Sequence, residues 1–196
     1  MRTILLLLGL LLPVIGSAAY AVSIIRGKTR PQRMTRFLLM IITAIMWISL
    51  VAANDRAGVW LALVAFVQAM VIWVLSLRRG IGGGDRLDIA CLLLCALGVV
   101  CWLVFGHAWI GLLASILADI AASAPALRKT IRMPHTELLL FYALDTLAGV
   151  CILFAGPLQL QAIVFPAYIT AINLLFALAI WLPRLRAAHS RSTELV

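Results

Sequence analysis

Acid is scarce in this chain: seven Asp and Glu stand among 196 residues, against sixteen Lys and Arg, for a net charge of +9. Charged residues of both signs make up 12% of the chain, where a soluble domain carries about 25%. Hydrophobic residues make up 65%, and the mean hydropathy is +1.13. These balances exclude an ordinary soluble domain and indicate a membrane protein. Long polar stretches are missing too, so function has to lie in helices or in their short junctions. The four cysteines, Cys91, Cys95, Cys101 and Cys151, fall inside apolar segments with no Cys-x-x-Cys pair and no neighbouring His. They read as small packing residues, and no metal site is expected. His107, His135 and His189 fall at loops or in the tail. Neither a nucleophile with a base nor a phosphate-gripping glycine loop is present, so catalytic residues, a cofactor and an enzymatic role are not expected. Gly82-Gly83-Gly84-Asp85 matches the Gly-x-Gly-Asp string of intramembrane aspartyl proteases, but Asp85 falls in a charged loop without a partner acid at its depth.

What is present is apolar length. Roughly 20 residues at a rise of about 1.5 Å cross a bilayer core of about 30 Å. Seven stretches reach or approach that length: 4–25, 35–54, 57–77, 87–105, 108–130, 137–155 and 159–182. The expected fold class is therefore all-α, a polytopic membrane protein with seven transmembrane helices. Lys and Arg collect at 26–36, 78–86, 128–132 and 184–191, which are alternate loops and the C-terminus. The intervening loops hold Asp55 with Arg56, His107, or no charge. This positive-inside pattern predicts a multi-pass plasma (inner) membrane protein with its N-terminus outside and its C-terminus cytoplasmic. Topology thus accounts for the net charge, and nucleic acid is not an expected partner. Arg2, the leucine run and Ala19-Tyr20-Ala21 resemble a secretory signal peptide. Cleavage there would leave Arg26 to Arg36 on an exported terminus, so the first segment is expected to stay attached.

Along the chain, Pro13 interrupts the first segment, followed by small residues Gly16 to Ala19 that permit close helix contact. Tyr20 suits a cavity or an interface. Pro31 and Thr35 predict a break and an N-cap for the second helix. Asn54-Asp55 reads as a tight turn, Arg78 to Asp85 as a flexible linker, and the fourth segment as a connector. Gln68 lies near the middle of the third segment, as a bond between helices or a ligand contact. The fifth segment carries Ser115, Asp119, Ser123 and Ala126 on one face, the sixth Tyr142, Asp145, Thr146 and Gly149, and the seventh Pro166, Thr170, Asn173 and Ala177. An ionisable group at that depth costs at least roughly 2.5–3.5 kcal/mol, so Asp119 and Asp145 should face protein or water. They serve either a structural hydrogen-bond network or a polar site.

Aligning Pro31 with Pro134 gives an offset of 103 residues, and Gln68 and Asn173 are offset by 105, each halfway through the third helix of its group. Three helices, a connector and three more helices imply two parallel three-helix bundles. The expected divisions are 1–79, a linker and connector at 80–106, and 107–196 with a short cytoplasmic tail. This layout, with Pro125-Ala-Leu-Arg-Lys129 followed by Arg132 and Thr136, resembles the PQ-loop superfamily, which includes the SWEET sugar transporters. Pro125 and Lys129 fit that family's mark, with Ala126 where the family has Gln; in the first trio Val22 stands at the position aligned with Pro125, and Arg26 matches Lys129. The resemblance implies carriage of a sugar or other small polar metabolite by alternating access. It implies amide contacts to solute from Gln68 and Asn173, and proton coupling through Asp119 or Asp145. The expected solute site is Gln68, Asn173, Asp119, Asp145, Ser123 and Tyr142, with hinges at Pro13 and Pro125. The cytoplasmic basic loops are marked by Arg26, Lys28, Arg128, Lys129 and Arg132. Expected partners are the solute and membrane lipid, with an oligomer allowed but not required. The other reading is a non-transporting membrane component that docks a partner protein or anionic lipid through its basic loops.

Overall fold

The computed structural model describes residues 2–52, 56–82, 108–155 and 160–193, together with 86, 89–90, 93, 96–97, 100 and 103–104. Among them are six α-helices and no strand: α1 (Arg2–Ile25), α2 (Arg33–Ala52), α3 (Arg56–Arg79), α4 (Ala108–Arg132), α5 (Leu139–Ala155) and α6 (Leu160–Thr193). A 3-10 turn, Pro134–Thr136, links α4 to α5. The described residues of the fourth apolar segment are helical and exposed, Leu93, Leu97, Val100 and Leu103 among them. The Asn54-Asp55 turn, Asp85, His107, Cys91, Cys95 and Cys101 lie outside the described residues.

Local chemistry sets the ends of these helices. α1 stops at Gly27, whose φ of 73° is the left-handed region that glycine enters without strain. Lys28 N–H bonds Ser23 C=O at 3.0 Å and Gly27 N–H bonds Ile24 C=O at 2.9 Å, closing the helix with a Schellman motif. α2 begins at Arg33, two residues before the expected cap. Thr35 lies inside the first turn, 2% exposed, and its hydroxyl caps nothing. The Ile81 carbonyl does that work, accepting from Arg33 N–H at 3.1 Å while Ile81 N–H bonds Pro31 C=O at 2.9 Å. The glycine linker after α3 is therefore fastened at its start rather than free. α6 also runs past its expected end, through Pro183 to Thr193, so the tail continues the helix.

Two helical stretches among the described residues, Arg2–Ile25 and Pro166–Pro183, are long and apolar enough to cross a membrane; Leu139–Ala155 is apolar but shorter. α1 shows how such a helix presents itself. Ile4, Leu7, Leu11, Ile15 and Val22 point outward, while Gly9, Gly16, Ser17, Tyr20 and Ser23 are buried. Apolar outside and small or polar inside is the reverse of a soluble amphipathic helix.

The six helices close into a ring in the order α1, α3, α2, α4, α6, α5 and back to α1. α1 follows α5 along its length, from Arg2 Nε donating to Ala155 C=O at 2.6 Å, past Gly9 against Ile152 and Gly16 against Leu144, to Tyr20 tilted against Phe141 with ring centroids 4.7 Å apart. Glycine at these crossings lets the backbones approach. Gly149 does the same for α5 against Thr170 and Pro166 of α6. Aromatic pairs Phe37–Trp73 and Trp47–Phe66 join α2 to α3. Leu38 and Ile42 meet Ala118 and Ala122 between α2 and α4. The order of neighbours is unchanged when α1, α2 and α3 are exchanged with α4, α5 and α6.

One apolar core holds Tyr20 and Ile24 of α1, Ile72 of α3, Ala126 of α4, Phe141 and Tyr142 of α5, and Phe176 and Ile180 of α6. It joins the later parts of α1, α3, α4 and α6 to the beginning of α5. α1, α3, α4 and α6 therefore run parallel, opposite to α2 and α5. The clusters at 26–36, 78–79 and 128–132 all fall at this end, which is called the basic end below.

A buried ion network as the candidate functional site

Within each half of the ring the first and second helices stand apart, α1 from α2 and α4 from α5. A cation fills each gap. Arg36, in the first turns of α2, is 8% exposed, and Lys129, in the last turns of α4, is 6% exposed. Both reach a common centre at Glu137, which is 4% exposed. Pro134 ends α4 because a residue ahead of proline is pushed out of helical backbone, and the 3-10 turn then carries the chain to an extended Glu137 (φ −120°, ψ 153°). Arg30 N–H bonds Thr136 C=O at 2.9 Å, tying this turn to the loop after α1.

Glu137 is held at both carboxylate oxygens. Oε1 accepts from Lys129 Nζ at 2.6 Å, and Oε2 accepts from Tyr20 O–H at 2.7 Å and Tyr142 O–H at 3.3 Å. Arg36 Nη2 donates to the same two hydroxyls, at 2.9 and 3.3 Å. The Arg36 guanidinium also lies over the rings of Tyr20 and Phe141, 4.8 and 5.6 Å from their centroids. Such contacts add roughly 2 kcal/mol when desolvated. Tyr142 stacks on Phe176 at 4.8 Å, which fixes its hydroxyl. Two cations thus share one carboxylate, Lys129 directly and Arg36 through two phenols, with α1, α2, α4 and α5 all contributing.

Further from the basic end, the polar groups are less complete. Asp119 Oδ2 accepts from Tyr168 O–H at 2.5 Å, but its Oδ1 is buried without a hydrogen bond, as is Asp145 Oδ1. Both acids lie within electrostatic reach of Arg36. Gln68 Oε1 accepts from Ser17 O–H at 3.1 Å, leaving Nε2 buried and unbonded. Each buried polar atom left unpaired costs about 1–3 kcal/mol. Among the described residues no group of His, Cys, Asp and Glu could hold a metal, and Cys151 is a buried free thiol.

The sequence-predicted residues divide between these two levels. Gln68, Asp119 and Asp145 carry the unpaired atoms. Asn173 does not meet Gln68 through a hydrogen bond; its Nδ2 donates to Ile169 C=O in its own helix at 2.9 Å. Ser123 is buried in α4, and Tyr142 belongs to the ion network. Pro13 and Pro125 each lie inside an unbroken helix. Arg26 and Lys28 are exposed in the turn after α1, and Arg128 and Arg132 are exposed at the end of α4. Lys129 is not a loop residue: the helix continues past it, and Glu137 draws it inside. Arg36 and Glu137 went unnoticed as site residues. The signals were present, since Arg36 falls inside an apolar segment and Glu137 is an acid directly beyond a basic cluster.

The chain matches no family model, no curated protein and no solved structure.

Proposed function

We propose that the chain is an integral membrane carrier of a small polar solute, working by alternating access between two three-helix halves, 1–79 and 107–196, joined through 80–106. The observation that carries this reading is the ring, whose neighbours keep their order when the halves are exchanged. Duplicated bundles of this kind place their solute between the repeats. The PQ-loop resemblance of Pro125 to Lys129 points the same way. Gln68 Nε2, Asp119 Oδ1 and Asp145 Oδ1 supply one donor and two acceptors lacking protein partners. They form the solute site, and the two acids are where proton coupling would act. Asn173 and Ser123 complete it, while Tyr142 serves the ion network.

Uptake of labelled sugars and other small polar metabolites into proteoliposomes tests the proposal. Gln68→Ala and Asp145→Asn should each lower uptake at least about tenfold, the effect of losing roughly 1.4 kcal/mol of binding. Full uptake by a Gln68→Ala, Asn173→Ala double variant would remove this site. The packed core and satisfied ions at the basic end also suit a non-transporting component that docks a partner protein or anionic lipid. In that case Asp119→Asn changes stability and no solute moves.

A further inference from the structure

The geometry points to Arg36 and Lys129 as the two bolts of a gate at the basic end, with Tyr20, Glu137 and Tyr142 as their common socket. The inference rests on the carrier reading. The seam between α1 and α5 is continuous, from Arg2 against Ala155 at one end to Tyr20 against Phe141 at the other. Tyr20 and Tyr142 therefore sit on one side-by-side pair of helices, with Glu137 in the extended turn just before α5. The bolts come from the two helices that face that pair across the open gaps. Arg36 reaches in from α2 to the two phenols, and Lys129 from α4 to Oε1. α2 and α4 touch each other through Leu38, Ile42, Ala118 and Ala122, all apolar. Both bolts are thus on the same edge of the ring, opposite the long seam. Withdrawing them removes the charged contacts and leaves the small and aliphatic ones named above.

The socket also limits how the bolts move. Among the described residues, Glu137 bonds Lys129 directly and holds both phenols that hold Arg36, so losing it weakens both bolts together. Removing Lys129 alone leaves Arg36 docked on the phenols. The core beneath the network, including Ile72 and Ala126, becomes accessible from the basic side only after both bolts have left.

The test is accessibility rather than transport. In a chain whose four cysteines are replaced by alanine, Ala126→Cys is placed beneath the network and treated with a membrane-impermeant maleimide from the basic side. Glu137→Gln should raise the labelling rate about tenfold, the population shift expected from losing roughly 1.4 kcal/mol of charge-assisted bonding. Tyr20→Phe, which removes a single hydroxyl and leaves the ring packed, should raise it less. An unchanged rate in both variants, with each protein monodisperse in detergent, overturns the gate. If Glu137→Gln does not fold, the order Tyr20→Phe above parent and Lys129→Met above parent decides the matter alone. Uptake is measured separately: absence of uptake in the parent for every solute removes the carrier, whereas faster labelling still establishes the latch.

Discussion

At the scale of the residue, Glu137 determines more than any other described side chain. It neutralises a buried lysine and anchors two phenols that hold a buried arginine. Removing one partner of a buried ion pair costs about 3–5 kcal/mol because a charge is stranded. Glu137→Leu strands two cations and should lower stability by that amount. Lys129→Met leaves Glu137 bonded to both tyrosines and should cost less, about 1–3 kcal/mol. Arg132→Met, at an exposed position, should fall within about 0.5 kcal/mol. Unfolding midpoints in detergent give the ordering, and equal losses for Glu137→Leu and Lys129→Met would contradict the shared-socket geometry. Sequence alone exposed Asp119, Asp145 and Gln68, because an isolated polar residue in an apolar run is conspicuous. It hid Arg36 and Lys129, because a cation at the edge of a basic loop looks solvated until its direction around the helix is known.

At the scale of the element, the apolar runs located six helices to within a few residues except at the far end of α6, and the departures have physical causes. Thr35 was read as a cap from its type. The cap is instead the Ile81 carbonyl, a partner nearly fifty positions away that no local pattern encodes. α6 continues through Pro183 because losing one N–H does not end a helix that has other bonds on either side. Helix spacing depends on glycine at the crossings. A Cβ at Gly149 would run into the Thr170 hydroxyl and come within 3.3 Å of the Pro166 carbonyl. Gly149→Val should therefore lower stability by about 1–3 kcal/mol through overpacking between α5 and α6. Leu147→Ala, on the exposed side of the same helix, should change it far less. Matching losses would show that the two helices do not meet at Gly149.

At the scale of the whole molecule, the basic clusters at 26–36, 78–79 and 128–132 share one end of the ring, as alternation of charge along the chain required. Single substitutions Lys28→Cys and Arg132→Cys in a cysteine-free chain should then label from the same side. Labelling from opposite faces would break the parallel arrangement of halves. The three-plus-three count was legible in the hydropathy, but the order of neighbours was not. Composition reports depth along a helix, whereas the ring depends on which side faces which partner.

That order has a consequence for assembly. Helices adjacent in sequence, α1 and α2, do not pack against each other, and the long partner of α1 is α5. More than a hundred residues separate Ile25 from Leu139. At a synthesis rate of roughly 5–20 residues per second, α1 waits on the order of 5–20 s before its partner exists. During that interval its Gly9 and Gly16 crossings, built for close contact, stand unoccupied beside the ribosome. Until α5 is made, the first helix has only α3 as a neighbour from its ring, and its longest seam stays open.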